Sequence, residues 1–124
     1  MLVLSINPPE YFKSNRMKKV LIIDDEEDFC RLMGFYLSKK NCVVEYFLTF
    51  KEGLENIHVM RPDIIIADEN MAANVRERIE AERDLLQDYT PHIFFLEARK
   101  SANNQSSLMD EINRLVEYIK DLFK

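Results

Sequence analysis

Residues 20–25 of this chain read Val-Leu-Ile-Ile-Asp-Asp, and residues 64–68 read Ile-Ile-Ile-Ala-Asp. Both are short apolar runs of the kind that form strands buried on both faces, and both end in carboxylates. Because ligands in an open α/β sheet bind beyond the carboxyl ends of its strands, we expect Asp24, Asp25 and Asp68 to meet at one edge. Such an edge suits a hard cation and the handling of a phosphoryl group.

Strand and helix patterns alternate along the rest of the chain. This order predicts an α/β fold, a doubly wound parallel sheet with right-handed crossovers and helices on both faces. Thr49 and Glu52 form a capping-box pair that opens the short second helix, which ends before Pro62. The predicted strands are 18–23, 42–47, 63–67 and 92–97, and the other predicted helices are 26–40, 74–89 and about 107–123.

Size and composition restrict the class of protein. A chain of 124 residues is one domain by length, and we predict an N-terminal extension over residues 1–16 and a folded domain over residues 17–124. The net charge of −5 argues against a nucleic-acid binder. No apolar stretch approaches the roughly 20 residues of a membrane span, and Cys30 and Cys42 read as packing residues. A cytoplasmic protein is therefore expected.

The acidic residues also have a purely structural interpretation. Asp24 and Asp25 begin an acidic run that precedes a helix, where carboxylates cap free N–H groups and suit the helix dipole. Asp68 comes at the end of an apolar run, where aspartate is a common turn or capping residue. Taken together, the two sites favour the binding interpretation, because both acids end apolar strands.

Residues 19–26, Lys-Val-Leu-Ile-Ile-Asp-Asp-Glu, and residues 61–71, Arg-Pro-Asp-Ile-Ile-Ile-Ala-Asp-Glu-Asn-Met, resemble the receiver domain of bacterial two-component response regulators. The resemblance implies a flavodoxin-like fold, with Asp68 as the phosphoacceptor. It also implies Mg²⁺ as the cofactor, held by Asp24, Asp25, Asp68 and the backbone carbonyl of Asn70. Its implied partners are a histidine kinase or phosphotransfer protein and a downstream protein, with no nucleic acid and no membrane.

One departure from the family lies at the end of the fourth strand, where receivers carry Thr or Ser. Here Glu97 takes that position, and an ionised carboxylate cannot donate a hydrogen bond. Two negative groups about 4 Å apart at an effective dielectric near 20 repel each other by roughly 4 kcal/mol. Glu97 is therefore expected to oppose phosphorylation unless it turns away, takes a proton or joins the metal shell.

A second departure is a shortened C-terminal half. Only ten residues separate Leu96 from Ser107, too few for a crossover helix and a strand, and no Lys-Pro pair exists. We predict the strand order 2-1-3-4, with the family's fourth helix and fifth strand missing or altered. Lys100 is the candidate substitute for the family's lysine, beside its alternative as a solvated loop residue. The exposed edge of the fourth strand invites cover by residues 2–6, from this chain or from a partner in a homodimer.

Three functions follow from these patterns. The first is an atypical stand-alone receiver, phosphorylated at Asp68 with Mg²⁺ and acting through protein–protein contacts, not an enzyme. The alternative is a pseudo-receiver that binds a protein partner without phosphorylation, favoured by Glu97 and the missing lysine. The third, an enzyme that hydrolyses phosphate esters with Asp68 as nucleophile, lacks a second aspartate two positions on, where Asn70 stands.

Overall fold

A computed structural model of the protein describes residues 17–97 and 105–122. In this part of the chain, four parallel strands form one sheet in the order β2-β1-β3-β4, and four helices alternate with them. The predicted fold class and strand order are thus confirmed. The elements are β1 (Lys18–Ile23), α1 (Glu27–Ser38), β2 (Cys42–Phe47), α2 (Phe50–Met60), β3 (Ile64–Asp68), α3 (Val75–Asp84), β4 (His92–Leu96) and α4 (Gln105–Leu122).

The two central strands, β1 and β3, are covered on both faces. In β1 the side chains of Val20 and Ile22 join the core beneath α1 and α4, whereas those of Leu21 and Ile23 join the core beneath α2 and α3. All four side chains have no exposed surface. This two-sided burial explains why the strand is apolar at successive positions instead of alternating with polar residues.

The first helix follows its predicted face, and both cysteines pack as expected. Phe29, Met33 and Leu37, spaced four residues apart, are fully buried against the sheet. Cys30 and Cys42 are buried as free thiols.

The predicted end of α3 is wrong. The helix ends at Asp84 instead of residue 89, because the N–H groups of Leu85 and Leu86 bond to carbonyls three residues back, at 3.2 and 3.0 Å. Such bonds tighten the last turn and end the α-helical ladder. Leu86 still packs against the core, and Tyr89 lies under the guanidinium of Arg61. Leu86 and Tyr89, the two apolar residues that suggested a longer helix, therefore make their contacts from the irregular segment after α3.

The start of α2 confirms the predicted cap, since the Thr49 side chain accepts a hydrogen bond from the Glu52 N–H at 3.3 Å. One turn further on, Gly53 lets the helix approach β1 closely. A Cβ atom at Gly53 would lie 2.6 to 2.8 Å from three side-chain atoms of Ile23, a fully buried residue. Helix α2 is thus seated on β1 at a distance that only glycine allows.

The last strand and the last helix agree with the shortened pattern. Only eight residues, 97–104, separate β4 from α4, and α4 packs beside α1 on one face of the sheet. Among the described residues, no strand lies beyond β4. The predicted loss of the family's fourth helix and fifth strand fits this arrangement. The predicted extension over residues 1–16 lies outside the described residues.

We expect Gly53→Ala to lower the free energy of unfolding by about 1–3 kcal/mol, the usual cost of overpacking a core. Gly34→Ala is the matched control, because a Cβ there would lie 3.8 Å from Val44, at ordinary van der Waals distance. That substitution should add roughly 0.5–1 kcal/mol through helix propensity. Urea unfolding of both variants measures the difference. Equal effects of the two substitutions would contradict the close α2–β1 contact.

Candidate acidic phosphoryl site

Three aspartates meet at the carboxyl end of the central strands. Asp24 and Asp25 directly follow β1, Asp68 ends β3, and these two strands pair in parallel with Ile23 beside Ala67. One carboxylate oxygen from each aspartate lies within 4.8 Å of the others. The neighbouring strands therefore bring together acids that are 43 residues apart in the chain.

Exposure differs sharply among the three acids. Asp24 has no exposed surface and is the buried charged residue of the described chain, whereas Asp25 is exposed and Asp68 is half-buried. Burial of a carboxylate is costly unless hydrogen bonds or a cation compensate it. Asp24 Oδ1 accepts a hydrogen bond from the Glu26 N–H at 2.9 Å, and the Asp24 N–H donates to the Phe47 carbonyl at 3.1 Å.

Asp68 is held by the same kind of local turn. Its Oδ1 accepts a hydrogen bond from the backbone N–H of Asn70, two residues on, at 2.9 Å. Asp24 and Asp68 thus each commit one carboxylate oxygen to a turn that fixes the side chain. The interpretation of Asp68 as a turn residue is confirmed, and Asp24, for which helix capping was the structural interpretation, makes a similar turn. These turns do not explain why a third carboxylate, that of Asp25, stands beside them.

The run of acids after β1 does not act as a side-chain cap. Glu26 is the N-cap residue of α1, and its side chain makes no capping hydrogen bond. Glu27 and Asp28 occupy the first helical turn, where negative charge favours the helix dipole. The run therefore divides into two parts, a dipole-compensating pair on the helix and an aspartate pair at the strand end.

The aspartate cluster fits a small divalent cation. Mg²⁺ takes six oxygen ligands at about 2.0–2.1 Å, so ligands on opposite sides of the ion lie roughly 4.2 Å apart. Carboxylate oxygens within 4.8 Å of one another are close to this spacing. A bound cation would also relieve the mutual repulsion of the three charges. The donor set is thus that of a hard-cation site with waters completing the shell.

The end of β4 lies level with this cluster. Leu96 is in register with Asp68, and its carbonyl accepts a hydrogen bond from the Glu69 N–H at 3.0 Å. Glu97 follows at once and is exposed, and it is not a member of the three-aspartate group. Asn70 lies next to Asp68 in the turn, whereas Lys100 lies outside the described residues.

Arg76, a basic residue that the sequence did not single out, pairs with Glu69, the residue after Asp68. The guanidinium of Arg76 bonds to the carboxylate of Glu69 at 2.6 Å and lies 4.2 Å above the ring of Phe95. The hydrogen bond that Arg76 donates to the Glu69 carboxylate raises the pKa of the guanidinium. No sequence signal links these residues, because the ion pair spans the loop between β3 and α3 and the stacking joins α3 to β4.

The fold and the acidic cluster define a class of protein, the receiver-type signalling domain. The model of the response regulator receiver domain family matches residues 20–116, and the chain belongs to this family. Receiver domains generally bind Mg²⁺ in an acidic pocket, interact with kinases or phosphotransfer proteins, and serve as signalling modules without enzymatic activity.

Solved structures agree with this assignment. A CheY-like receiver domain protein from Methanospirillum hungatei superposes with a TM-score of 0.66 at 19% identity, covering 86% of this chain and 94% of that one. The N-terminal domain of an uncharacterised protein from Wolinella succinogenes gives 0.60 at 21% identity, with 84% and 92% covered. Chemotaxis protein CheY4 of Vibrio cholerae gives 0.57 at 28% identity, with 77% and 80% covered.

No described helix is both long enough and apolar enough to cross a bilayer.

We expect Mg²⁺ to raise the free energy of unfolding, by about 2.7 kcal/mol at a concentration 100 times its Kd. Asp25→Asn and Asp68→Asn should each remove most of this increase and should stabilise the metal-free protein, because each removes one of three repelling charges. Asp28→Asn, an exposed acid in the first turn of α1 outside the cluster, is the control. Denaturant titration with and without Mg²⁺ measures the effect, and an equal Mg²⁺ response in all variants would contradict a site at the cluster.

Proposed function

We propose that this protein is a phosphoacceptor receiver that signals through protein–protein contacts, with Asp68 as the residue that takes the phosphoryl group. The observation that carries the proposal is the convergence of the three aspartates at the ends of β1 and β3. Asp24 and Asp25 would hold Mg²⁺ together with Asp68 and the backbone carbonyl of Asn70. When bound, the cation would offset the negative charge that gathers during transfer.

The residues present suit the transfer step. A carboxylate oxygen of Asp68 attacks the phosphorus of a phosphohistidine or of a small acyl phosphate. A P–O bond forms to Asp68, and the bond from phosphorus to the donor nitrogen or oxygen breaks. The leaving imidazole takes a proton, whereas a leaving carboxylate keeps the electron pair. Asp68 is half-buried, so a phosphoryl donor can reach its carboxylate. The Asn70 N–H donates a hydrogen bond to Oδ1 of Asp68, so the other oxygen, Oδ2, is the one that attacks.

The product would change the charge at the strand ends. Phosphorylation adds about −1.5 to −2 charges at Asp68, beside two further carboxylates. The ion pair of Arg76 with Glu69 stands next to that position and offers a cation that a new negative charge attracts. If the Arg76–Glu69 ion pair broke, the Arg76 side chain, which now lies over Phe95 of β4, could move. A protein partner could recognise this local change.

Glu97 supports a second candidate, a pseudo-receiver that binds its partner without phosphorylation. The position after β4 carries an exposed carboxylate where the family has a hydroxyl. The short connection of residues 97–104 also leaves no room for the family's fifth strand, which brings the lysine. In this candidate the aspartate cluster would be a cation site that stabilises the fold.

Reaction with acetyl phosphate separates the two candidates. We expect incubation with Mg²⁺ and acetyl phosphate to add one phosphoryl group to the intact mass of the protein. Asp68→Asn should show no adduct, and Asp88→Asn, an exposed acid on the loop after α3, should react like the parent. An unmodified parent protein, observed while Mg²⁺ still stabilises it, would support the pseudo-receiver instead.

Substitution of Glu97 tests the electrostatic barrier. Glu97→Gln removes the charge and should raise the rate of phosphorylation at least tenfold, because each 1.4 kcal/mol of relieved repulsion is worth a factor of ten. Glu97→Thr also supplies a hydroxyl donor and should lengthen the lifetime of the phosphorylated protein beyond that of Glu97→Gln. Time-resolved intact mass spectrometry gives both quantities. Unchanged rates in both variants would show that Glu97 points away from the acceptor.

A further inference from the structure

The outer edge of β4 has backbone groups that face away from the sheet. The N–H of His92 donates to the Asp63 carbonyl and the carbonyl of Leu96 accepts from Glu69, so these residues face β3. Since direction alternates along a strand, the N–H and C=O groups of Ile93 and Phe95 face outward. Among the described residues, no strand pairs with them.

Within residues 17–97 and 105–122, this edge lacks the usual protection against pairing. Natural edge strands carry charges, proline or bulges that discourage a second strand. The sheet's other edge, β2, carries the exposed Glu45, whereas the five residues of β4 read His-Ile-Phe-Phe-Leu without an acid, lysine or arginine. The side chains of Ile93, Phe94 and Phe95 are all half-buried.

The helix beside β4 presents a stripe with both signs of charge. Tyr118 on α4 is 58% exposed and packs edge-on against Phe94, with ring centroids 5.2 Å apart. Arg114 lies four residues before Tyr118 and Asp121 lies three residues after it, and all three line one shallow surface depression. Arg114 and Asp121 thus lie on either side of Tyr118, and Glu117, which pairs with Lys120 at 3.5 Å, lies beside it.

We infer that β4 and α4 form the interface of a homodimer in which the two β4 strands pair antiparallel about a two-fold axis at Phe94. Ile93 of each copy would lie opposite the partner's Phe95, and each such pair would exchange two backbone hydrogen bonds. Phe94 would face its own counterpart across the axis, where aromatic side chains stabilise paired strands. The result is one continuous sheet of eight strands.

The same axis makes the two α4 helices complementary. A two-fold axis perpendicular to the sheet keeps both α4 helices on one face and sets them antiparallel, with the two Tyr118 side chains nearest the axis. Arg114 would then lie opposite the partner's Asp121, and the reverse pair would form on the other side. Phe94 contacts Tyr118, so an axis at Phe94 also passes close to Tyr118. One axis therefore allows both the pairing of the β4 strands and the ion pairs between the α4 helices.

This arrangement is independent of the phosphoryl chemistry. Antiparallel pairing places the acidic clusters of the two copies at opposite ends of the combined sheet, so both remain open to a donor. A monomer–dimer equilibrium can therefore hold whether or not Asp68 is phosphorylated.

Sedimentation of the full chain across micromolar to millimolar concentrations tests the interface. We expect a dimer whose Kd rises roughly tenfold or more in Arg114→Glu, because like charges then face each other twice. The double variant Arg114→Glu with Asp121→Arg should restore the parent Kd, since the charges have exchanged places. Arg31→Glu, the same charge change on α1, is the control and should leave the Kd unchanged. A monomer at all concentrations, or a charge swap without rescue, would overturn the proposal.

Amide hydrogen exchange gives a second measurement that needs no substitution. In the dimer, the N–H groups of Ile93 and Phe95 should exchange slowly at high protein concentration and rapidly on dilution, while that of His92 stays slow throughout. Protection of Ile93 and Phe95 at every concentration in a monomer, lost when residues 1–8 are deleted, would show that the chain's own N-terminal segment occupies the edge. That result would also overturn the dimer.

Discussion

The pairing of β1 with β3 is the constraint on which the acidic site depends. These strands contribute seven large apolar side chains without exposed surface, at positions 20–23 and 64–66. Burying one such side chain is worth about 1.5–3 kcal/mol, whereas two carboxylates about 4 Å apart repel by roughly 4 kcal/mol at an effective dielectric near 20. Burial of these side chains therefore opposes the repulsion among the acids, which a bound cation would relieve further.

The core also positions the site from behind. Gly53 allows α2 to press on Ile23, the residue that precedes Asp24. The backbone of Asp24 is tied to the end of β2 through Phe47, and its buried thiol neighbour, Cys30, donates to the Asp24 carbonyl at 3.5 Å. Three elements thus converge on the backbone of one aspartate. A displacement of α2 would shift Ile23 and with it the aspartate cluster, because close-packed interiors transmit strain.

The short segment after β4 gives this receiver its particular character. Where relatives of the family place a further helix and strand, eight residues lead directly to α4. The sheet edge that this leaves is apolar, and the face of β4 above α3 is covered by the guanidinium of Arg76 stacked on Phe95.

Much of this protein could be predicted from sequence because its decisive signals are local or periodic. Several elements could be predicted from a few neighbouring residues. They are the strands before Asp24 and Asp68, the helix face of Phe29, Met33 and Leu37, and the helix start at Thr49. The shortened connection before α4 is a matter of counting. The exception was α3, where Leu86 and Tyr89 continue a helical pattern but contact the core and Arg61 from irregular chain.

Only the tertiary structure decided which charges meet. Periodicity cannot show that Arg76 pairs with Glu69 over Phe95, because those contacts join a loop, a helix and a strand that are adjacent only after folding. The complete burial of Asp24, against the exposure of Asp25 beside it, is likewise a property of the folded molecule. The sequence by itself determined the strands and the acids that end them, since local hydrophobicity sets both. Their spacing and their neighbours are properties of the packed molecule, because electrostatic contacts depend on distance in space and not along the chain.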